Sequence, residues 1–200
     1  LRRGGYGNAI TGKDETVQHF TLLGNVDVLP LRLQIERHPE LWNQHTGRTE
    51  QAEGAHTQIS DIWLRWRPKE ELLAPENYNE KFAELTWYPG IAALPAARDI
   101  LMQIMGRVQG TALGGALITR IPCGAQVKPH SDAASWHANY YGLKVYTVIA
   151  ANPNAVNWCE GESFVPKVGD VFSFDNKKAH AVYNEGADDR MTMMAAIRCD

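Results

Sequence analysis

Apolar and polar positions along this chain change rhythm about halfway. Across residues 26–36 the apolar side chains fall at Val26, Val28, Leu31, Leu33 and Ile35. That near-alternation predicts a strand, and Pro30 would place it at a sheet edge because proline has no N–H to give to a ladder. Residues 59–66 predict another strand, with Ile62, Leu64 and Trp66 on one face and Trp63 and Arg65 on the other. From Pro68 to Pro89 charged and aromatic residues mix without period, which predicts irregular chain with a short helical piece. Residues 94–108 predict a helix: Ile100, Leu101, Ile104, Met105 and Val108 recur at helical spacing and Pro95 suits a first turn, although Gly106 weakens the last one.

After Gly114-Gly115 the pattern becomes short apolar runs, at 116–121, 143–151, 157–165, 170–174, 180–184 and 191–197. Turn-forming clusters separate them, among them Pro122-Cys123-Gly124, Asn152-Pro153-Asn154 and Val168-Gly169-Asp170. Short strands at this spacing predict an antiparallel sandwich or barrel, not alternating α/β units. The expected fold is mainly β with flanking helices. A single domain of residues 1–200 would comprise an N-terminal elaboration, 1–112, with its helix near 94–108, packed on a C-terminal jelly roll, 113–200. Residues 1–18, rich in glycine and polar side chains, predict a poorly ordered segment. The polar stretch 37–58 has no period but carries His38, Trp42, His45, Arg48 and His56. It reads either as a solvated insertion or as a loop that reaches a ligand.

Composition narrows the class of function. Hydrophobic residues make up 44% of the 200 and charged residues 22%, and the formal net charge is −3 with both signs mixed along the chain. This composition suits a globular domain and gives no electrostatic reason to bind nucleic acid or an acidic membrane. No apolar run is long enough to cross a bilayer. The first residues lack both an initiator Met and the apolar segment of a signal peptide, as a fragment would. Cys123, Cys159 and Cys199 form neither a zinc pattern nor a disulfide framework, so a cytoplasmic location is expected.

Candidate chemistry concentrates in Lys128-Pro129-His130-Ser131-Asp132. At i and i+2 of an extended segment, an imidazole and a carboxylate project to the same side. His180, which opens a later strand, would complete two histidines and one carboxylate on one side of a metal. That set leaves coordination positions open and suits non-haem Fe(II). Arg190 opens the next strand beyond a turn containing Gly186, so a hairpin would bring it beside His180. A guanidinium there calls for an anionic partner, for which a substrate carboxylate is the natural candidate. Each residue also has a plain reading: a hydrogen-bonded structural histidine, a turn-capping Asp132, an Arg190 that balances Asp188 and Asp189. His137 is tempting as a further ligand but reads more simply as a loop histidine. Trp63, His45, Arg48 and His137 could line a substrate mouth but read more simply as structural or solvated, and Phe172, Phe174 and Trp158 read as core.

The ordered set of segments Leu117-Ile118-Thr119-Arg120-Ile121-Pro122, Pro129-His130-Ser131-Asp132, Leu143-Lys144-Val145-Tyr146, Gly169 to Asn176 and His180 to Arg190 resembles the double-stranded β-helix (cupin-like jelly roll) of the Fe(II)/2-oxoglutarate-dependent oxygenases. It is most similar to the aspartyl/asparaginyl β-hydroxylase-like branch. The resemblance implies that His130, Asp132 and His180 bind iron and that Arg190 pairs with the far carboxylate of 2-oxoglutarate. It also implies that Thr119, Lys144 and Tyr146 surround that co-substrate. The implied activity is a dioxygenase that hydroxylates an unactivated C–H bond of an Asp or Asn residue or another small amino-acid-like molecule. One departure is chemical: several aspartyl hydroxylases have Gly where Asp132 stands, so Asp132 points to the general oxygenase triad and away from an aspartyl substrate. A cupin-like metalloenzyme that does not use 2-oxoglutarate, or a non-catalytic jelly-roll binding module, would share the fold without needing Arg190.

Overall fold

The computed structural model of the chain describes residues 19–50, 53–68 and 85–200. Eleven strands form two sheets: β1 (Phe20–Asn25), β2 (Ser60–Trp66), β3 (Thr86–Trp87), β4 (Ala112–Ile121), β5 (Gln126–His130), β6 (Leu143–Ala150), β7 (Ala155–Cys159), β8 (Glu162–Phe164), β9 (Asp170–Phe174), β10 (His180–Asn184) and β11 (Arg190–Arg198). The larger sheet has the order β1-β9-β6-β11-β4-β2-β3 and the smaller β5-β10-β7-β8. From β4 onward the chain passes repeatedly from one sheet to the other, so strands close in sequence face each other across the interior. That alternation is the jelly roll, or double-stranded β-helix. β2 and β3 continue the larger sheet beyond β4, and β1 closes its other edge against β9.

Period-2 geometry explains why this sheet has both an inert face and a chemical one. Ala116 and Ile118 of β4, Val145 and Ile149 of β6 and Met193, Ala195 and Ile197 of β11 lie in one core cluster with the helices α1 (Leu29–Arg37) and α3 (Pro95–Arg107). Burying each such Leu, Ile or Val side chain is worth roughly 1.5–3 kcal/mol. The intervening residues, among them Thr119, Lys144, Tyr146, Thr192 and Met194, line cavities between the sheets. A second cluster, Phe20, Val148, Cys159 and Phe172, packs beside it, with Tyr146 and Phe174 against it.

Two expectations need correction. Residues 26–36 are not an edge strand, since Leu29–Arg37 is helical with Pro30 in its first turn. Leu31 and Ile35, four apart, are buried, whereas Leu29 and Leu33 remain exposed. The spacing that decided was i, i+4, and proline is at home in a helix's first turn. The run 157–165 is broken into β7 and β8 by Glu160-Gly161, both at positive φ (47° and 91°), the geometry of a two-residue hairpin turn. The helix of 94–108 is present as α3, preceded by a single-turn helix, α2 (Gly90–Ala93). The expectations for residues 1–18 and most of those for 68–89 fall outside the described residues. No helix among the described residues is long and apolar enough to cross a membrane.

Candidate metal centre

His130 ends β5 and His180 begins β10, and the two are direct partners in the antiparallel ladder. This register sets their rings 4.2 Å apart, centroid to centroid. Asp132 lies just past the strand end, held there by its own N–H donating to the Asn176 carbonyl (3.0 Å). One ligand atom from each of the three lies within 4.8 Å of the others. The His-x-Asp motif works here by strand termination: β5 fixes the imidazole, and the turn after it swings the carboxylate alongside.

Hydrogen bonds orient all three side chains. Nδ1 of His130 lies 2.8 Å from the Lys128 carbonyl, and Nδ1 of His180 lies 2.9 Å from the Lys178 carbonyl. A carbonyl can only accept, so each Nδ1 carries the proton and each Nε2 presents a lone pair, the arrangement that metal-binding histidines require. Oδ2 of Asp132 accepts from Lys144 Nζ (2.8 Å) and from Asn176 Nδ2 (2.8 Å). Oδ1 stands 3.8 Å from His130 Nε2. The carboxylate therefore has one oxygen tied back and the other free for a third ligand position.

Electrostatics set the same state. Burial, reinforced by the neighbouring His130, lowers His180 to about 4. Burial also lowers His130, against the opposing pull of the Lys128 carbonyl and Asp132. For Asp132 burial works the other way, but the charge and hydrogen bond of Lys144 and the hydrogen bond of Asn176 outweigh it and hold the carboxyl well below its usual range. At neutral pH the centre thus offers two neutral imidazoles and one carboxylate, the protonation state in which they bind a divalent cation.

Two cavities meet at this centre. A narrow one of about 60 Å³ is lined by Thr119, Tyr146, Asn157, His180, Arg190 and Thr192. A wide one of about 910 Å³ is lined by Trp63, Trp66, His130, Asp132, His137 and Tyr141, among others. Arg48, His56, His130, Lys144 and Met194 border both. Arg190 is 3% exposed. Its Nη2 donates to Asn157 Oδ1 (2.9 Å), while its Nε has no partner among the described residues. Thr192 Oγ1, on the same strand face two residues on, is also buried without a partner among the described residues. Burial lowers Arg190 to about 10, against a favourable contribution from Tyr146, so the guanidinium remains charged at neutral pH. No carboxylate forms an ion pair with it among the described residues. A buried cation with one neutral partner fits an anionic ligand in the narrow cavity.

The other residues singled out in the sequence divide. Thr119 lines the narrow cavity, but its hydroxyl donates to Asp61 Oδ1 (2.8 Å) and accepts from Arg48 Nη2 (2.8 Å). Lys144 borders both cavities, and its ammonium donates to Asp132 Oδ2 (2.8 Å), supporting the carboxylate. Tyr146 stacks on Phe172 and Phe174 (18° between planes in each case) and walls the narrow cavity. His137 sits on a short helix, α4 (Trp136–Tyr141). There its Nε2 accepts from the Gly115 N–H (3.1 Å), so it is a wall of the wide cavity and stands apart from the three-residue cluster. His45 packs on Trp63 and Tyr88. Phe172 is core, while Phe174 and Trp158 are half-buried.

The polar stretch 37–58 reaches the site and is not simply a solvated insertion. Arg48 grips the fully buried Asp61 with Nε and Nη2 (2.6 and 2.9 Å), and the His56 ring meets His130 edge-on at 4.9 Å. Sequence reasoning missed Asn176, Asn157 and Thr192. Only Thr192 had a signal: two residues beyond Arg190 on a strand, it had to share that face.

Comparison with known proteins agrees with the geometry. The family described as Aspartyl/Asparaginyl beta-hydroxylase matches residues 81–198. An oxidoreductase of the 2OG-Fe(II) oxygenase family from Burkholderia pseudomallei shares 19% identity over 70% of this chain and 67% of its own, with a TM-score of 0.49. The viral collagen prolyl hydroxylase from Paramecium Bursaria Chlorella virus-1 shares 10% identity over 92% of this chain and 97% of its own, with a TM-score of 0.48. A cupin domain from Bordetella pertussis shares 14% identity over 44% of this chain and 85% of its own, with a TM-score of 0.35. Likeness at this level says nothing of substrate. No curated protein matches the chain. The match at 81–198 spans more than half the sequence and contains all three residues of the cluster, and so the chain belongs to the aspartyl/asparaginyl β-hydroxylase family.

Proposed function

We propose that this protein is an Fe(II)- and 2-oxoglutarate-dependent dioxygenase that hydroxylates a C–H bond of a small-molecule or peptide substrate. The observation that carries the reading is the pairing of two features. The two Nε2 atoms and the Asp132 carboxylate form an open three-ligand cluster, and a buried, anion-lacking Arg190 lies in the adjoining narrow cavity. The cluster alone would suit a cupin-like metalloenzyme of another kind; Arg190 is what calls for a dicarboxylate.

In this reading His130, Asp132 and His180 hold the iron. Arg190 receives the distal carboxylate of 2-oxoglutarate, and Thr192 offers it a hydroxyl from the same strand face. Tyr146 closes the cavity behind it. Bound together, iron and 2-oxoglutarate supply an oxidant: one oxygen atom of O2 enters the substrate C–H bond as hydroxyl, the other enters succinate, and CO2 leaves. The chain's own contribution is orientation and exclusion of water. Lys144 and Asn176 keep Asp132 ionised and limited to one free oxygen. The buried histidines stay neutral, so protons do not compete with the metal for their lone pairs.

The test is succinate release from 2-oxoglutarate with Fe(II) and O2, measured for the parent chain and for His180→Ala. Release by the parent and none by the variant is expected. Equal release by both would end the assignment.

A further inference from the structure

The reading above leaves the hydroxylated molecule open, and the wide cavity has a chemical character of its own. Resting on that reading, we propose that the substrate is a small carboxylate carried on a flat, ring-bearing apolar body, and not an aspartyl or asparaginyl side chain.

One wall of the cavity is a continuous run of four rings. Trp63 meets Trp66 at 5.8 Å, Trp66 meets His137 at 5.0 Å and His137 meets Tyr141 at 4.7 Å between centroids. All four border the same space as His130 and Asp132. The backbone is shaped to seat them. A Cβ at Gly115 would stand 2.1 Å from the Trp66 ring, and one at Gly114 would stand 2.9 Å from the Tyr141 ring. Two adjacent glycines on β4 thus let an indole and a phenol lie against the strand, and the Gly115 N–H fixes His137 between them. Met194, Ala196 and Leu143 add an apolar surface. Facing rings of this kind hold another ring by offset or edge-on stacking, which a short acidic side chain cannot exploit.

The polar end of the substrate is read from the charges. Asp132 is the single acid among the described lining residues and is paired with Lys144, which leaves Arg48 and Arg67 as the remaining cations. Arg48 is placed to meet an anion. Its carboxylate partner Asp61 is fully buried behind it, while the Arg48 side chain keeps 23% of its exposure. Arg48 borders both cavities, as His130 does. A carboxylate gripped there would point the ring along the aromatic wall and leave the carbons between them nearest His130 and Asp132.

Calorimetric titration of phenylacetate, phenylacetamide, acetate and N-acetylaspartate amide into the chain, with and without Mn(II) and 2-oxoglutarate, tests this. Saturable binding of phenylacetate to the loaded protein is expected, with phenylacetamide and acetate each at least tenfold weaker because one lacks the charge and the other the ring. Gly115→Val, which displaces the Trp66 ring, lowers phenylacetate affinity at least tenfold while Mn(II) and 2-oxoglutarate still bind. Trp66→Leu gives the same result should the valine variant not fold. The inference is overturned if phenylacetate fails to bind a protein that binds Mn(II) and 2-oxoglutarate, if phenylacetamide equals it, or if N-acetylaspartate amide binds more tightly. Phenylacetate binding without any binding of Mn(II) or 2-oxoglutarate would support the cavity's selectivity and fail the iron reading alone.

Discussion

Replacing Arg190 by Met separates the proposed co-substrate role from a structural one, because the two predict opposite changes in stability. Arg190 is 3% exposed and, among the described residues, has one side-chain hydrogen bond, to the neutral Asn157. Exchanging a poorly compensated buried charge for an apolar side chain of similar length is often neutral or stabilising, by roughly 1–4 kcal/mol where ion pairs have been replaced. Against that stands the lost donor to Asn157 Oδ1, about 1 kcal/mol. The unliganded variant should therefore melt at the parental temperature or a few degrees above it, since 1 kcal/mol moves Tm by about 2–4 °C at this chain length. Binding should change far more. Hydrogen bonds to a charged group contribute about 1.5–3 kcal/mol each. Losing a two-pronged grip, about 3–6 kcal/mol, thus weakens 2-oxoglutarate by roughly a hundredfold to more than ten-thousandfold, at 1.4 kcal/mol per tenfold. Differential scanning fluorimetry with Mn(II) and graded 2-oxoglutarate reads both effects at once. In the parent, 2-oxoglutarate at about a hundred times its Kd adds about 2.7 kcal/mol of stability, and in Arg190→Met that gain should vanish. A variant that melts well below the parent, yet keeps the full 2-oxoglutarate shift, would refute the reasoning.

Other consequences can be checked separately. Asn176→Ala frees Asp132 Oδ2 from one of its two hydrogen bonds, and metal affinity measured by Mn(II) titration should fall about 10–100-fold, as for other residues that orient a ligand; no change would mean Lys144 alone suffices. Burial holds His137 at about 4 in the folded chain, below its ordinary 6.5. The unfolded chain therefore binds more protons between those values, and the stabilisation present above pH 6.5 is lost as pH falls toward 4. His137→Gln, which can still accept from Gly115, should show a smaller drop in Tm between pH 7.5 and pH 5 than the parent; an equal drop would contradict this. Phe172→Ala, at a fully buried position against Phe164 and Tyr146, should cost about 3–5 kcal/mol in denaturant unfolding; a loss below 1 kcal/mol would mean that the interior near β1 and β9 collapses around the gap.

How much of this could be read from the chain follows from the range of each interaction. The strands of the jelly roll announce themselves through short-period alternation, and His130, Asp132 and His180 through spacing at strand ends, because these are local signals. The helix at Leu29–Arg37 was misread because Val26, Val28, Leu31, Leu33 and Ile35 satisfy two periods at once, and only the sheet beneath decides that Leu31 and Ile35 turn inward. Lys144 stands on the expected strand and borders the narrow cavity, but its hydrogen bond to Asp132 has no mark in the sequence. Strand position sets the face of a side chain, whereas Asp132, twelve residues earlier, is brought to its ammonium by a turn. Arg48 and Asp61 carry no local mark, since their pairing, like that of Asn176 with Asp132, depends on chain closure across the site. The aromatic wall was equally hidden: Gly114-Gly115 looked like a boundary between halves, and its use as a seat for two rings exists only once β2, carrying Trp66, has paired with β4 and α4, carrying Tyr141, has folded over it.

The central claim is that three side chains converge on one cation. Anaerobic titration of metal-free protein with Fe(II), read as bound metal per chain, tests it most directly in the parent beside Asp132→Ala and His130→Ala. One equivalent bound by the parent, with affinity reduced at least tenfold in each variant, is the predicted result. Undiminished binding in both variants, or none in the parent, would contradict it.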